Sequence, residues 1–94
     1  FMNTIKEMVN NPAAVLVDVR SPWEYEEGHL PGAVNIPLET VTGRVDEFKS
    51  FTRPVVVYCR SGARSGMAVQ LLQQHGVTGV YNGGAFTDIQ LILN

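Results

Sequence analysis

Short runs of apolar, mostly β-branched residues alternate with amphipathic segments along this chain. The apolar runs lie at residues 15–19, 33–36, 55–58 and 80–81, and each is short enough to be one strand of a buried sheet. Apolar residues at helical spacing mark the segments between and around them. This order predicts a small open α/β sheet, mainly parallel, with helices on both faces and right-handed crossovers.

The helical segments are predicted from apolar residues that recur every three or four positions. A polar helical turn is expected at residues 23–27, and Asn82, Gly83 and Gly84 are expected to form a turn before the last helix. The apolar faces of the four other helices are predicted to be Ile5, Met8 and Val9; Val41, Val45, Phe48 and Phe51; Met67, Ala68, Leu71, Leu72 and His75; and Phe86, Ile89 and Leu93.

Composition and charge narrow the class of protein. The 94 residues are 45% hydrophobic and 17% charged, which predicts one globular domain over residues 1–94. Seven basic and nine acidic residues give a formal charge of −2, so no global positive field favours nucleic acid or an anionic membrane as a partner. An anion would have to be bound locally, by a few residues.

No apolar run is long enough to cross a membrane, since the longest, residues 55–59, is far below the roughly 18 residues that a span needs. Met2 is a plausible native start, with Phe1 as a cloning remnant, so we expect a cytoplasmic protein, with a periplasmic location as the alternative. Cys59 is the single cysteine, which excludes an internal disulfide and a multi-cysteine zinc site; no metal is expected.

Cys59 follows the apolar run 55–58 and precedes a helix that is predicted to begin near Ser65. Ligands of open α/β sheets bind at the carboxyl ends of strands, which is where this loop lies. The residues between are small or cationic: Arg60, Ser61, Gly62, Ala63 and Arg64. Backbone N–H groups of a loop that enters a helix can converge on an anion. The loop is therefore predicted to bind a tetrahedral anion and to lower the pKa of the Cys59 thiol.

The competing interpretation is a buried cysteine that only packs against the core, which is the commoner fate of an intracellular cysteine. Two arginines and the lack of any large apolar side chain make residues 60–65 a poor core segment and a good anion site. We therefore favour a chemical role for Cys59.

Five segments of the chain together resemble the single-domain rhodanese family. They are Val17-Asp18-Val19-Arg20, Glu24-Tyr25, Gly28-His29-Leu30-Pro31-Gly32-Ala33-Val34-Asn35-Ile36-Pro37, Tyr58-Cys59-Arg60-Ser61-Gly62-Ala63-Arg64-Ser65, and Val80-Tyr81-Asn82-Gly83-Gly84. The segments occur in the family's order and cover nearly the whole chain, which makes the resemblance more specific than any one motif.

The resemblance implies a five-stranded, mainly parallel sheet between helices. It also implies an enzyme that moves sulfane sulfur from thiosulfate, or another persulfide donor, to cyanide or a thiol, a protein thiol included. Cys59 would be the nucleophile that forms the persulfide, the backbone of residues 60–65 would cradle the outer sulfur, and Arg60 and Arg64 would contact the oxyanion end. No metal or organic cofactor is implied. Without a second cysteine, the acceptor must come from outside the chain.

Two alternatives stay open. The related phosphatases and arsenate reductases of this fold have five residues between Cys and Arg and commonly His before Cys, whereas four residues separate Cys59 from Arg64 here and Tyr58 precedes the cysteine. The other alternative is a non-catalytic, rhodanese-like binding module, although such modules often lack the cysteine.

Several polar residues outside the loop are interpreted as structural. His29 could act as a general base toward the thiol, but its place in a Gly-His-Leu-Pro-Gly turn favours a scaffold role. Asp18, Arg20 and Glu24 are expected to form a partly buried charge network that ties the loops together. His75 lies in the last turn of its helix, where the helix dipole favours a cation.

Overall fold

The computed structural model describes residues 4–94; Phe1, Met2 and Asn3, on which the expected native start falls, lie outside the described residues. Four strands form one sheet: β1 (Val15–Asp18), β2 (Val34–Asn35), β3 (Val55–Cys59) and β4 (Val80–Ala85). They lie in the order β2-β1-β3-β4, and each neighbouring pair is parallel. The parallel α/β sheet predicted from the alternating pattern is therefore confirmed.

The expectation of five strands was wrong, because the sheet has four within residues 4–94. Each of the four apolar runs became one strand, and β3 at the centre is buried along its whole length. The remaining apolar residues in the described part of the chain are spaced for helices and pack on the faces of the sheet. The number five came from the family resemblance, not from the apolar pattern.

Helices cover both faces of the sheet. The α-helices are α1 (Ile5–Val9), α2 (Pro22–Glu27), α3 (Val45–Ser50), α4 (Ala63–Gln74) and α5 (Phe86–Ile92), and a 3₁₀ helix spans Leu38–Arg44. Side chains alternate along β3, so Val57 and Cys59 lie in the core with α3 and α4, whereas Val56 and Tyr58 lie in the core with α1 and α5. Nowhere between residues 4 and 94 is a helix long and apolar enough to cross a membrane.

Two of the predicted helices differ from the structure. The segment containing Val41 and Phe48 is divided into a 3₁₀ helix and α3, because Gly43 weakens a regular helix there; both residues are nevertheless buried. In α4 the buried face is formed by Ser65, Ala68 and Leu72, and Met67 is 55% exposed. Ser65, in the first turn of α4, contacts Cys59 and so fixes which face of the helix is buried. Met67 lies two positions after Ser65, on the opposite side of the helix, and is therefore in solvent.

β4 continues through Gly83 and Gly84, where a turn was expected. A Cβ on Gly83 would lie 2.6 Å from Cγ1 of Val56, so only glycine allows the strand to pass this close to the core. The pairing shifts here, since Val57 lies opposite Asn82 and the next residue of β3, Tyr58, lies opposite Gly84. This bulge brings Asn82 to the loop that follows β3.

Candidate active site

The predicted loop does converge on the sulfur of Cys59, the last residue of β3. Cys59 is fully buried. The backbone N–H of Gly62 donates to its Sγ at 3.0 Å, and the backbone N–H of Ser65 donates at 3.4 Å. The Ser65 hydroxyl oxygen also lies 3.4 Å from Sγ. Three polar groups from one short loop therefore surround the thiol.

Gly62 makes this curl possible. Its φ of +96° is left-handed, and a Cβ there would lie 3.4 Å from Cα of Gly84 on β4. α4 begins directly after it, at Ala63, two residues before the predicted start. The first turn of a 12-residue helix therefore directs its unpaired N–H groups, with their partial positive charge, toward Cys59.

The surroundings of Cys59 favour the thiolate. Burial alone would raise the pKa of the thiol, but it is outweighed by hydrogen bonds from the Ser65 hydroxyl and from the backbone N–H groups of Ser65, Ser61 and Gly62. The net effect is a pKa of Cys59 below its usual value. A thiolate is the form of cysteine that acts as a nucleophile.

The two arginines of the loop have different surroundings. The Arg64 guanidinium donates to both carboxylate oxygens of Glu24 in α2, at 2.8 and 3.1 Å, whereas Arg60 is exposed. Glu24 also accepts from the backbone N–H and the hydroxyl of Ser21, at 3.1 and 2.9 Å. Chiefly because of Arg64, the pKa of Glu24 is lowered to about 2. An anion that reaches Arg64 must therefore share it with a carboxylate.

The expected charge network divides into two parts. Asp18 and Arg20 form a buried pair, with 2.6 Å between Oδ2 and Nη2, and Arg20 also donates to the carbonyl of Gly28 at 2.7 Å. Glu24 pairs with the active-site loop instead. His29 stacks on Tyr25 with 3.7 Å between ring centroids, in agreement with a scaffold role. Among residues 4–94, no three His, Cys, Asp or Glu side chains are grouped so as to hold a metal ion.

Asn82 is a residue of the site that was not predicted from the sequence. Its Oδ1 accepts from the Ser65 hydroxyl at 2.7 Å and from the backbone N–H of Gly84 at 2.9 Å, and its Nδ2 donates to the carbonyl of Gly62 at 3.2 Å. Asn82 therefore ties both halves of the loop to β4. The signals in the sequence were the strand at residues 80–81, directly before it, and its place in the last of the five segments that carry the family resemblance.

A groove of about 380 Å³ lies beside the loop, on the side of Arg60. Trp23 lies in its wall and is 63% exposed. The groove is large enough for more than a small anion. Its lining comprises Arg20, Trp23, Glu24, Glu27, Gly28, Arg60, Phe86 and Thr87.

Comparison with known proteins identifies the family that this fold and loop define. The model of the rhodanese-like domain matches residues 2–87. The chain therefore belongs to the rhodanese-like domain family, and the resemblance drawn from the sequence is confirmed. The exact limits of the domain at the two ends of the chain stay a prediction.

Three relatives illustrate the similarity. The chain is 46% identical to the Bacillus subtilis protein YqhL over 73% of its own length, and it spans only 54% of that protein. It is 40% identical to the thiosulfate sulfurtransferase PspE of Escherichia coli over 80% of this chain and 73% of PspE. A solved structure described as a rhodanese with anions from E. coli has a TM-score of 0.73 and 39% identity, and the match covers 81% of this chain and 91% of that one.

Proposed function

We propose that this domain is a sulfurtransferase that carries sulfane sulfur as a persulfide on Cys59. The observation that carries the proposal is the convergence of the Gly62 and Ser65 N–H groups on Sγ at the start of α4. Membership of the rhodanese-like family supports it. The proposed donor is thiosulfate or another persulfide, because PspE is a thiosulfate sulfurtransferase and a related rhodanese is described with anions.

The proposed reaction has two displacements and needs no oxidant or reductant. The Cys59 thiolate attacks the sulfane sulfur of thiosulfate; a bond forms between Sγ and that sulfur, and the bond to the sulfonate sulfur breaks. The electron pair of the broken bond leaves with sulfite. Cyanide or an external thiolate then attacks the outer sulfur of the persulfide, and the Cys59 thiolate is released.

The loop contributes by stabilising negative sulfur. The N–H groups of Gly62 and Ser65 already converge on Sγ in the resting fold, so they are placed to stabilise the negative charge once a donor has reached the sulfur. Loss of one such donor typically costs about 100 to 1,000-fold in rate. Arg60, exposed at the mouth of the loop, is proposed to attract the oxyanion end of the donor. Arg64 would also bind the oxyanion end of the donor, but only if the donor competes with Glu24 for the guanidinium.

A non-catalytic binding module is the second candidate, and it is favoured by the complete burial of Cys59. A donor would need the loop to open slightly before the sulfur is reached, whereas a module that only binds partners needs no such access. Phosphatase or arsenate reductase chemistry is less well supported, because four residues rather than five separate Cys59 from Arg64.

A steady-state assay distinguishes the candidates. Thiocyanate formation from thiosulfate and cyanide is measured for the wild type, for Cys59→Ser, and for Met67→Ala as a matched variant on the exposed side of α4. We expect turnover by the wild type and Met67→Ala, and none by Cys59→Ser with an unchanged circular dichroism spectrum. Equal rates for wild type and Cys59→Ser would contradict the proposal. A folded wild type inactive with thiosulfate and with persulfide donors would favour the binding module.

A further inference from the structure

The orientation of the Asn82 side chain is fixed by its two backbone partners. The N–H of Gly84 requires an acceptor at 2.9 Å and the carbonyl of Gly62 requires a donor at 3.2 Å, so the amide has Oδ1 toward Gly84 and Nδ2 toward Gly62. The atom that lies 2.7 Å from the Ser65 hydroxyl is therefore an oxygen. Since that oxygen cannot donate, the Ser65 hydroxyl donates to Asn82.

Ser65 has one hydroxyl proton, and two acceptors lie within its reach. While the hydroxyl donates that proton to Asn82 Oδ1, the 3.4 Å contact between Ser65 Oγ and Cys59 Sγ is made by the thiol S–H as donor. Once Cys59 is a thiolate it has no proton to donate. The Ser65 hydroxyl must then turn from Asn82 to Sγ to keep the contact.

We propose that Asn82 is a positioning residue that holds the Ser65 hydroxyl in the orientation suited to the Cys59 thiol and competes with the sulfur anion for the hydroxyl proton. The inference deepens the proposed function and rests on it only in taking Cys59 as the reacting group. Asn82 does not touch the sulfur and acts through Ser65.

The turn of the hydroxyl leaves no polar group without a partner. Asn82 Oδ1 keeps the N–H of Gly84 when Ser65 turns away, so the cost of an unsatisfied acceptor is avoided. Both protonation states of Cys59 are thus accommodated by the rotation of one hydroxyl. An attacking thiol works best when its pKa lies near the ambient pH, and competition from Asn82 keeps Cys59 from becoming too stable a thiolate.

The other charges around the sulfur are independent of Asn82. The β4 residues that pair with the end of β3, Gly84 and Ala85, carry no charge. The remaining charged groups near the site lie in the active-site loop, in α2 and at the end of β1. They are Arg60, Arg64 with its partner Glu24, and Asp18 with its partner Arg20. A neutral substitution at Asn82 changes none of these charge pairs. It does remove the contact with Gly62, so only a shift in the pKa of Cys59 that disappears without the Ser65 hydroxyl reports the hydroxyl.

The test is a double-mutant cycle read by titration of Cys59. The ultraviolet absorbance of the thiolate is followed against pH in wild type, Asn82→Ala, Ser65→Ala and the double variant, with Cys59→Ser as the baseline. We expect Asn82→Ala to lower the pKa of Cys59 by about 0.7 unit, which is about 1 kcal/mol at 1.36 kcal/mol per unit. Ser65→Ala should raise the pKa. In the Ser65→Ala background the Asn82 substitution should have no further effect.

Three results would overturn the inference: an unchanged pKa in Asn82→Ala, a raised pKa, or the same shift with and without the Ser65 hydroxyl. Because Asn82 is exposed, the variant should fold, and Asn82→Ser, whose side chain is too short to reach Ser65, replaces it if it does not. The titration uses no sulfur donor. If the four proteins show the expected pKa values of Cys59 but the wild type transfers no sulfur, the proposed function alone is contradicted.

Discussion

The contact between Glu24 and Arg64 predicts that donor affinity can be increased by removing one negative charge. Glu24→Gln keeps an oxygen that can accept from the N–H of Ser21, as glutamine does at the third position of a capping box, so α2 should remain intact. The substitution removes the carboxylate that now holds Arg64. Arg64 then becomes available to the oxyanion end of thiosulfate.

The size of the effect follows from the exposure of the pair. The Arg64 side chain is 36% exposed and that of Glu24 is 11% exposed, so solvent screens the attraction and the pair is worth about 1 kcal/mol. A donor that no longer competes with the carboxylate gains about this amount, which is about fivefold in affinity. The gain should decrease as salt is added, because a partly exposed charge is screened.

The assay is the KM for thiosulfate at fixed cyanide, with Glu26→Gln as the matched control. Glu26 is an exposed residue of the same helix, and its substitution changes the net charge by the same amount. We expect KM to fall about fivefold in Glu24→Gln, with kcat little changed, and to stay near the wild-type value in Glu26→Gln. An unchanged or higher KM in Glu24→Gln, or an equal fall in both variants, would refute the reasoning.

Three further predictions concern the loop, the strand beside it and acid stability. Arg64→Ala should raise the KM for thiosulfate without unfolding the protein; unchanged kinetics would remove Arg64 from the donor site. Gly83→Ala should lower the free energy of unfolding by about 1–3 kcal/mol, because its Cβ would lie 2.6 Å from Cγ1 of Val56; a thermal melt like that of the wild type would contradict this. The pKa of Glu24 is lowered from 4.5 to about 2 in the fold, so its contribution is present above pH 4.5 and is lost as the pH falls toward 2. Urea unfolding between about pH 5 and pH 3 should therefore show a larger loss of stability for wild type than for Glu24→Gln.

The sheet and the cysteine loop could be predicted from the sequence because both depend on local pattern. The apolar runs at β1 and β3 are too short for helices and too apolar for exposed loops, and in the structure they pair in parallel. The small residues after Cys59 allow a tight curl before a helix. Gly62 could not be identified as the residue directly before α4, since the approach of Gly84 from β4, which favours glycine there, is a contact between distant parts of the chain.

The contacts that complete the site could not be predicted, because they join residues that are distant in the chain. Glu24 and Arg64 are 40 positions apart, and Ser65 and Asn82 are 17 apart. The second contact depends on a bulge in β4, which Gly83 permits by its close approach to Val56. A pair of glycines in sequence is more often a turn, and only the packing of the core shows that it is a strand here.

The most direct test of the central claim is the intact mass of the protein after incubation with thiosulfate in the absence of reductant. The proposed mechanism predicts that the wild type gains one sulfur atom, that fragmentation places it on Cys59, and that cyanide or a thiol removes it. Cys59→Ser should gain nothing under the same conditions. A folded wild type with a reduced thiol that shows no added sulfur, from thiosulfate or from persulfide donors, would contradict the account.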